Sequence, residues 1–418
     1  MKRITGRLLI GSLILWIGAS ALAQETNALR FLCFNAGNEC AVYEDLLARF
    51  SEENPEIGVV VDVVAEQEMT SALLDLMKAG QAPDIARVAA PAAFREHYLD
   101  LRPLLTHTES LSAGFQASFL DAMGADNDDI LPGFPDALGL VAPFINVSLF
   151  EQAGLAVPAE GASWDDWLVA LEQVVAATDA SFVLSVDNKD HRLVGPAMSL
   201  GADYFDEDGR LTLPDVDGLG EFLQILHGLM EDGKTPADTL LGTGKSQEYF
   251  VRGETVMYIC GSWKVEEVAA QVGDDFKWAI VANPAGPGGG TGVAQATALV
   301  ALAGTEHPAA VAKVFEYLLQ PQIYAEFSAR TLTIPGHLDV AASPIDYATD
   351  NETIATALNA FAREVPRLQD QAIALDLHPL APVYYEASNT YLRGYFAGAY
   401  TVDEALAELR ARLGEAGA

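Results

Sequence analysis

The feature that most constrains the fold is a regular alternation of short apolar runs with amphipathic stretches. The run "LRFLCF" (29–34) predicts a strand, "CAVYEDLLARFSEENP" a helix that ends at Pro55, and "IGVVVDVVA" (57–65) a second strand. A further helix follows over "MTSALLDLMKAGQAPD", and "IARVAA" predicts a third strand. Strands that alternate with helices are typical of a mostly parallel, doubly wound α/β sheet.

The same pattern resumes after Pro135. Helices are predicted over "NVSLFEQAGL" and "SWDDWLVALEQVVAAT", strands over "SFVLSV" and "TVMYIC", and a turn or hairpin over "YFDEDGRLTL". Helices are also predicted over "EHPAAVAKVFEYLLQPQIYAEFSA" and almost throughout the tail from "NETIATALNAFAREV" to "VDEALAELRARL". Because 418 residues exceed what one hydrophobic core usually supports, we expect two domains.

The first 23 residues have the pattern of a secretory signal peptide. Lys2, Arg3 and Arg7 precede an apolar run from Leu8 to Ile17, and "ALA" follows. The apolar run is shorter than the roughly 20 residues that a membrane-spanning helix needs. We therefore expect cleavage before Gln24 and an exported, soluble mature protein.

Charge and cysteine content exclude several classes of function. A formal net charge of −35 argues against nucleic acid or an anionic membrane as a partner. The three cysteines are too few for a disulfide scaffold and lack the spacing of a structural zinc site. Cys33 and Cys40 are close enough in sequence to pair in an oxidising compartment, but geometry decides whether they do. Cys260 would be left over in a buried strand.

The sequence contains no complete catalytic or cofactor motif. "GTGKS" (242–246) resembles the end of a phosphate-binding loop, but Thr239 stands where its first glycine is required. The glycines of "AGPGGGTG" do not have dinucleotide-binding spacing, and the histidines do not have metal-ligand spacing. We therefore predict a protein that is not an enzyme and that uses no cofactor and no metal.

Several segments, taken in order, resemble one protein family over roughly residues 28–412. They are "AGQAPDI", "LDLRPLL", "GFPDALGLVAPFINVSLFEQAGL", "SWDDWLVAL", "YFVRGETVMYICGSW" and "VANPAGPGGG". Together they resemble extracellular solute-binding protein family 1, the sugar-capturing components of bacterial ABC importers related to maltodextrin-binding protein. The chain departs from that pattern at Phe144-Ile145-Asn146, where the family usually has Tyr-Tyr-Asn, so the ligand is less transferable than the fold.

The resemblance implies a type II periplasmic-binding-protein-like fold, in which two doubly wound α/β lobes are joined by crossing strands and enclose a ligand cleft. The N-terminal lobe would comprise residues 24–133 and 283–333, and the C-terminal lobe residues 134–282 and 334–418. The implied partners are a carbohydrate ligand, which lobe closure would bury, and the permease subunits of an ABC importer. The resemblance also implies a monomer.

Trp263 is the first candidate for a ligand contact. It follows the predicted strand "TVMYIC" after Gly261-Ser262, and ligands of open α/β sheets bind beyond the carboxyl ends of strands. An indole offers an apolar face to the C–H face of a pyranose. The alternative is a tryptophan that caps a hydrophobic core, and the resemblance favours the cleft.

Polar residues near the ends of other predicted strands or crossings complete the candidate ligand site. Their amide and carboxylate groups can bond sugar hydroxyls, and for each the alternative is a helix cap, a turn residue or a solvated acid. These residues are Asn35, Asn38, Glu68, Asp136, Asp187 and Gln295.

Other ligands and one other class of function stay open on the sequence. A polyol, a glycerol phosphoester or a polyamine would be an alternative ligand, and a phosphoester should require bases such as Lys189 and Arg192 in the cleft. An exported glycan hydrolase would need two carboxylates at a defined separation, for which Glu68 and Asp136 cannot be assessed from sequence.

Overall fold

The computed structural model describes residues 27–124, 130–290, 292 and 294–417. The predicted signal peptide, residues 1–23, lies outside these ranges. Among the described helices, none combines the length and the apolar character required to cross a membrane.

The strands, numbered β1 to β10 along the chain, are Asn27–Phe34, Ile57–Val64, Ile85–Val88, Gly133–Asn146, Phe182–Ser185, Asp203–Phe205, Leu211–Asp215, Thr255–Gly261, Trp278–Ile280 and Ala294–Ala301.

The α-helices are numbered likewise from α1 to α18: Glu39–Glu53, Met69–Lys78, Thr108–Ser112, Ala117–Met123, Val147–Ala153, Trp164–Ala177, Asp190–Ser199, Asp217–Glu231, Ala237–Leu240, Ser246–Val251, Val265–Val272, Pro308–Leu318, Pro321–Thr331, Leu338–Ala341, Glu352–Ala362, Asp370–Leu377, Ala381–Phe396 and Val402–Ala416. Short 3-10 turns lie at Glu66–Glu68, Pro91–His97, Ser262–Lys264 and Val365–Arg367.

Local sequence explains several of these boundaries. Ser163 and Asp166 form a capping box at the start of α6, and Thr401 and Glu404 form another at the start of α18. Asn146 caps α5 by accepting a hydrogen bond from the Leu149 amide. The hairpin predicted over "YFDEDGRLTL" is confirmed, since β6 and β7 pair antiparallel.

The main sheet has the strand order β2-β1-β3-β10-β4-β8-β5, with β9 beside β4. β1 pairs parallel with β2 and β3, and β5 pairs parallel with β8. β4 runs through the middle of the sheet over 14 residues: Gly133–Leu140 pair antiparallel with β10, and Val141–Ile145 pair antiparallel with β8. β4 therefore joins the two halves of the sheet.

Buried apolar side chains of the described residues form two clusters. The first centres on β1–β3 and on α12 and α13, and the second on α6–α8, α17 and α18. Buried side chains such as Val340, Ile354 and Val365 belong to the first cluster, whereas the predicted lobe division assigns them to the C-terminal lobe. The proposed lobe boundaries stay a prediction.

Two features of the sheet differ from the sequence expectations. The sequence does not predict β10 and instead places Gln295 in the connection past the glycine loop. Asp136 is expected after a crossing segment but lies inside β4. The register of β4 and β10 shifts between Thr297 and Ala298, so that Pro135 and Ala137 have partners on β10 and Asp136 between them has none.

Candidate functional site

At the middle of β4 its partner strand changes from β10 to β8. Gly261, the last residue of β8, pairs with Val141, while Ala294 at the start of β10 pairs with Leu140. Since β1 and β3 run antiparallel to β10, their carboxyl ends lie toward the same region as the carboxyl end of β8. Ligands of open α/β sheets bind beyond such strand ends, so this region is the candidate site.

Trp263 stands at this point, and its side chain is 42% exposed. Its indole lies against two glycines: a Cβ on Gly139 would be 3.1 Å from Trp263 Cε3, and a Cβ on Gly261 would be 2.1 Å from Cζ3 and Cη2. The Ser262 hydroxyl accepts a hydrogen bond from the Leu140 amide at 3.3 Å, which ties this turn to β4. The small residues predicted to allow a close approach thus admit the indole itself.

His191 on α7 contacts the indole. The centroids of the two rings are 5.6 Å apart and their planes meet at 60°. Burial lowers the pKa of His191 to about 4, and the charge of Lys189 acts in the same direction. The imidazole is therefore neutral at neutral pH, so that it offers one hydrogen-bond donor and one acceptor beside the indole.

Gln295 is the second predicted residue in this region. It pairs with Gly139 across the β4–β10 ladder, and its Cβ lies 3.6 Å from where a Cβ of Gly139 would stand. The next amide, Ala296 N–H, donates to Asp376 Oδ2 at 3.2 Å, and the Tyr385 hydroxyl donates to Asp376 Oδ1 at 3.5 Å. The structure therefore brings Trp263 and Gln295 together, with Asp376 beside them.

Asp187 lies four residues before His191 in the sequence and precedes the N-terminus of α7. Its Oδ1 accepts the Ser246 amide at 2.7 Å, and its Oδ2 forms an ion pair with Arg192, a residue that is itself buried. Both carboxylate oxygens of Asp187 thus have protein partners. The positive charge of Arg192 is matched within the protein.

Asn35 and Asn38 lie exposed in the loop between β1 and α1. A disulfide bond between Cys33 and Cys40 closes this loop, which answers the question that the sequence left open. Asn35 Oδ1 accepts the Cys40 amide at 2.8 Å, and Asn38 Nδ2 donates to the Arg330 carbonyl at 3.2 Å. The loop is held in one shape at the carboxyl end of β1.

Glu68 ends the short 3-10 turn that follows β2, and its side chain is exposed. β2 is the edge strand of the sheet, separated from β10 by β1 and β3. In strand order Glu68 is therefore remote from the pair of Trp263 and Gln295.

Asp136 belongs to a buried network rather than to an open strand end. It is 3% exposed and accepts hydrogen bonds from Arg87 Nε at 2.7 Å, the Tyr43 hydroxyl at 2.9 Å and Thr297 Oγ1 at 2.6 Å. The unpaired position in the β4 register directs this carboxylate to Arg87. As a ligand contact, Asp136 stays a prediction that its surroundings do not favour.

Sequence reasoning missed Gly139, His191 and Asp376. The strand-end rule that selected Asp187 after β5 would also have reached His191, four residues later. Gly139 lies inside a strand, and Asp376 lies in the helical C-terminal region, where no local pattern marks it. The roles of Gly139, His191 and Asp376 depend on contacts between segments that are distant in the sequence.

The chain is similar in sequence to known proteins. A family model described as bacterial extracellular solute-binding protein matches residues 45–356. The arabinooligosaccharide-binding protein of Halalkalibacterium halodurans is 27% identical over 221 residues, which are 51% of this chain and 48% of that protein. The match thus spans about half the length of this curated relative.

Solved structures confirm the predicted fold class. The cyclic alpha-maltosyl-1,6-maltose binding protein of Arthrobacter globiformis superimposes with a TM-score of 0.76 at 16% identity, covering 92% of this chain and 97% of that one. The sugar-binding protein MalE of Xanthomonas citri gives a TM-score of 0.75 at 19% identity, covering 93% and 96%. At these identities the likeness concerns the fold alone.

Proposed function

The chain belongs to the bacterial extracellular solute-binding protein family, and we propose that it is the sugar-binding component of an ABC importer. In this proposal it captures a sugar or oligosaccharide in the cleft at the middle of β4 and delivers it, chemically unchanged, to a membrane permease. The observation that carries the proposal is the half-exposed indole of Trp263, seated on Gly139 and Gly261 with His191 and Gln295 beside it.

This arrangement suits a pyranose. One face of the indole packs on the glycine backbone, and the exposed part of the ring offers an apolar surface to the C–H face of a sugar. A neutral imidazole and a carboxamide at its sides can donate to and accept from hydroxyl groups. Sugar sites combine these two kinds of contact, a flat apolar wall and a few polar groups that fix orientation.

The charges near the indole favour a neutral ligand over a phosphoester. Of the two bases that a phosphoester would require, Arg192 forms an ion pair with Asp187, and Lys189 is exposed. Asp376 adds a carboxyl group close to Gln295. The names of the curated relative and of the two solved structures, which refer to oligosaccharides and sugars, support the same preference.

We also propose that the protein binds its ligand without catalysing a reaction. A glycan hydrolase needs a pair of carboxyl groups that flank the scissile bond. Asp136 is held in a buried ion pair with Arg87, and both oxygens of Asp187 are engaged by Ser246 and Arg192. We propose that the mature protein, residues 24–418, is exported to the periplasm and closes its two lobes over the sugar as a monomer.

Calorimetric titration tests the proposal. Residues 24–418 are titrated with maltotriose, arabinotriose, glycerol 3-phosphate and spermidine, and the bound compound is recovered and analysed by chromatography. We expect saturable binding of an oligosaccharide that is recovered intact. Binding of glycerol 3-phosphate or spermidine alone, or conversion of the sugar to products, would refute the proposal.

A further inference from the structure

Asp376 occupies a position that the sheet itself leaves open. β10 pairs with β3 from Ala301 to Ala298, and Val88, the partner of Ala298, is the last residue of β3. Ala296 precedes Ala298 by two residues on β10 and therefore lies beyond the last residue of β3. The Ala296 amide donates a hydrogen bond to Asp376 Oδ2. The carboxylate thus accepts a backbone hydrogen bond at the place where a further residue of β3 would otherwise lie.

The same carboxylate lies beside the sugar site proposed above. Gln295, which faces Gly139 and the indole of Trp263, immediately precedes Ala296. The helix that carries Asp376, α16, packs against β10, against α4 and against α7, the helix that carries His191. Asp376 thus lies between the carboxyl end of β3 and the elements that surround Trp263.

The protein satisfies this carboxylate only in part. Ala296 N–H donates to Oδ2 and the Tyr385 hydroxyl donates to Oδ1, and each oxygen retains a further lone pair. Among the described residues, no Lys, Arg or His forms a salt bridge with Asp376. Burial raises the pKa of this carboxyl to about 7. A partly buried carboxylate with few donors gains from any ligand that brings more.

We infer that Asp376 is a further residue of the sugar site, and that its carboxylate accepts hydrogen bonds from ligand hydroxyl groups next to the ring that stacks on Trp263. The inference rests on the proposed function. It adds a specificity element, because the carboxylate, which forms as the pH rises through about 7, accepts hydrogen bonds from ligand hydroxyl groups and repels anionic groups at this end of the cleft.

The test compares Asp376→Asn with the parent protein and with Asp370→Asn, which removes an exposed carboxylate from the first turn of the same helix. All three are titrated calorimetrically with maltotriose and with arabinotriose, and their melting temperatures are recorded. The amide of the variant can still accept the Ala296 hydrogen bond. We expect affinity at least tenfold weaker in Asp376→Asn and within twofold of the parent in Asp370→Asn.

The outcomes separate the inference from the proposed function. If the parent binds a sugar and Asp376→Asn binds it within twofold, Asp376 merely anchors α16 to β10 and the inference is wrong. If the parent binds neither sugar, the proposed function and the inference fall together. Should Asp376→Asn not fold, Asp376→Ser, which retains an acceptor for the Ala296 amide, is judged by the same thresholds.

Discussion

The indole of Trp263 lies so close to Gly139 that a Cβ at that position would be 3.1 Å from the ring. The glycine is not required by its backbone dihedral angles, since it is absent from the positive-φ residues. A side chain there would contact the ring more closely than ordinary van der Waals distance, so that the ring would have to move by a few tenths of an ångström.

Gly139→Val should therefore displace the indole and weaken sugar binding about tenfold, a loss of about 1.4 kcal/mol. The matched control is Gly58→Val on the edge strand β2, where the nearest atom to an added Cβ is 4.0 Å away. Calorimetric titration and tryptophan fluorescence of both variants check this prediction. Equal affinities for the two variants would show that the contact between Gly139 and the indole does not contribute to sugar binding.

The buried pair of Arg87 and Asp136 should contribute strongly to stability. Arg87 Nε lies 2.7 Å from Asp136 Oδ2, and both side chains are almost fully buried. Arg87→Met leaves the buried carboxyl groups of Asp136 and Glu39 without their cationic partner, so we expect a loss of about 3–5 kcal/mol in the free energy of unfolding. Urea denaturation measures this loss in the free energy of unfolding.

A surface pair between the neighbouring strands β1 and β2 provides the control for this measurement. Arg30 and Asp62 are bonded at 2.9 Å, but both side chains are 41% exposed. Arg30→Met should cost less than about 1 kcal/mol, because water and salt screen an exposed pair. If the two substitutions cost the same, burial is not what distinguishes the pairs.

The disulfide bond should stabilise the β1–α1 loop and the fold. Cys33 and Cys40 are separated by seven positions, and closing so short a loop in the unfolded chain is worth about 2 kcal/mol in chain entropy. The double variant Cys33→Ser/Cys40→Ser should melt at a lower temperature than the parent. A reducing agent should lower the melting temperature of the parent and leave that of the variant unchanged. A reductant effect of equal size on both proteins would contradict this assignment.

Asp376 should make stability depend on pH. Its pKa is raised from the ordinary value of 3.8 to about 7 by burial, so between these values the folded protein holds a proton that the unfolded chain has already released. Its stabilising contribution is complete below about pH 4 and is lost as the pH rises through 7. Relative to Asp376→Asn, the parent should lose on the order of 3 kcal/mol between about pH 4.5 and pH 8. Denaturant titrations at both pH values check this, and parallel curves would refute it.

The strands β1 to β3 and several of the longer helices could be predicted because their sequences carry clear local signals. "LRFLCF" and "IGVVVDVV" are apolar and rich in β-branched or aromatic residues, and Pro55 and Gly80 mark the ends of the helices that lie beside them. The hairpin likewise follows from Asp208-Gly209. These elements are specified within a few residues of sequence.

β4 and β10 could not be predicted in the same way. β4 contains Pro135 and Pro143, and "AQATALVA" of β10 is rich in alanine, a residue that favours helices. Pairing with β3, β8 and each other overrides these preferences. The same pairing places Asp136 inside a strand rather than after a crossing segment.

The candidate site could be predicted in part. The ends and connections of strands indicate Trp263 and Gln295, although nothing in the sequence shows that they meet on either side of Gly139. Asp376 is separated from Ala296 by 80 positions, and only the packing of α16 on β10 brings them together. Local pattern finds individual residues, and tertiary structure decides which of them form a site.

The most direct test of the account is the affinity of Trp263→Ala for the oligosaccharide that binds the parent. Val169→Ala is the control, since Val169 is a large apolar side chain that is 56% exposed on α6. We predict at least about tenfold weaker binding for Trp263→Ala, an unchanged melting temperature and no effect of the control. An affinity within twofold of the parent would contradict the central claim that the indole forms the sugar-binding surface.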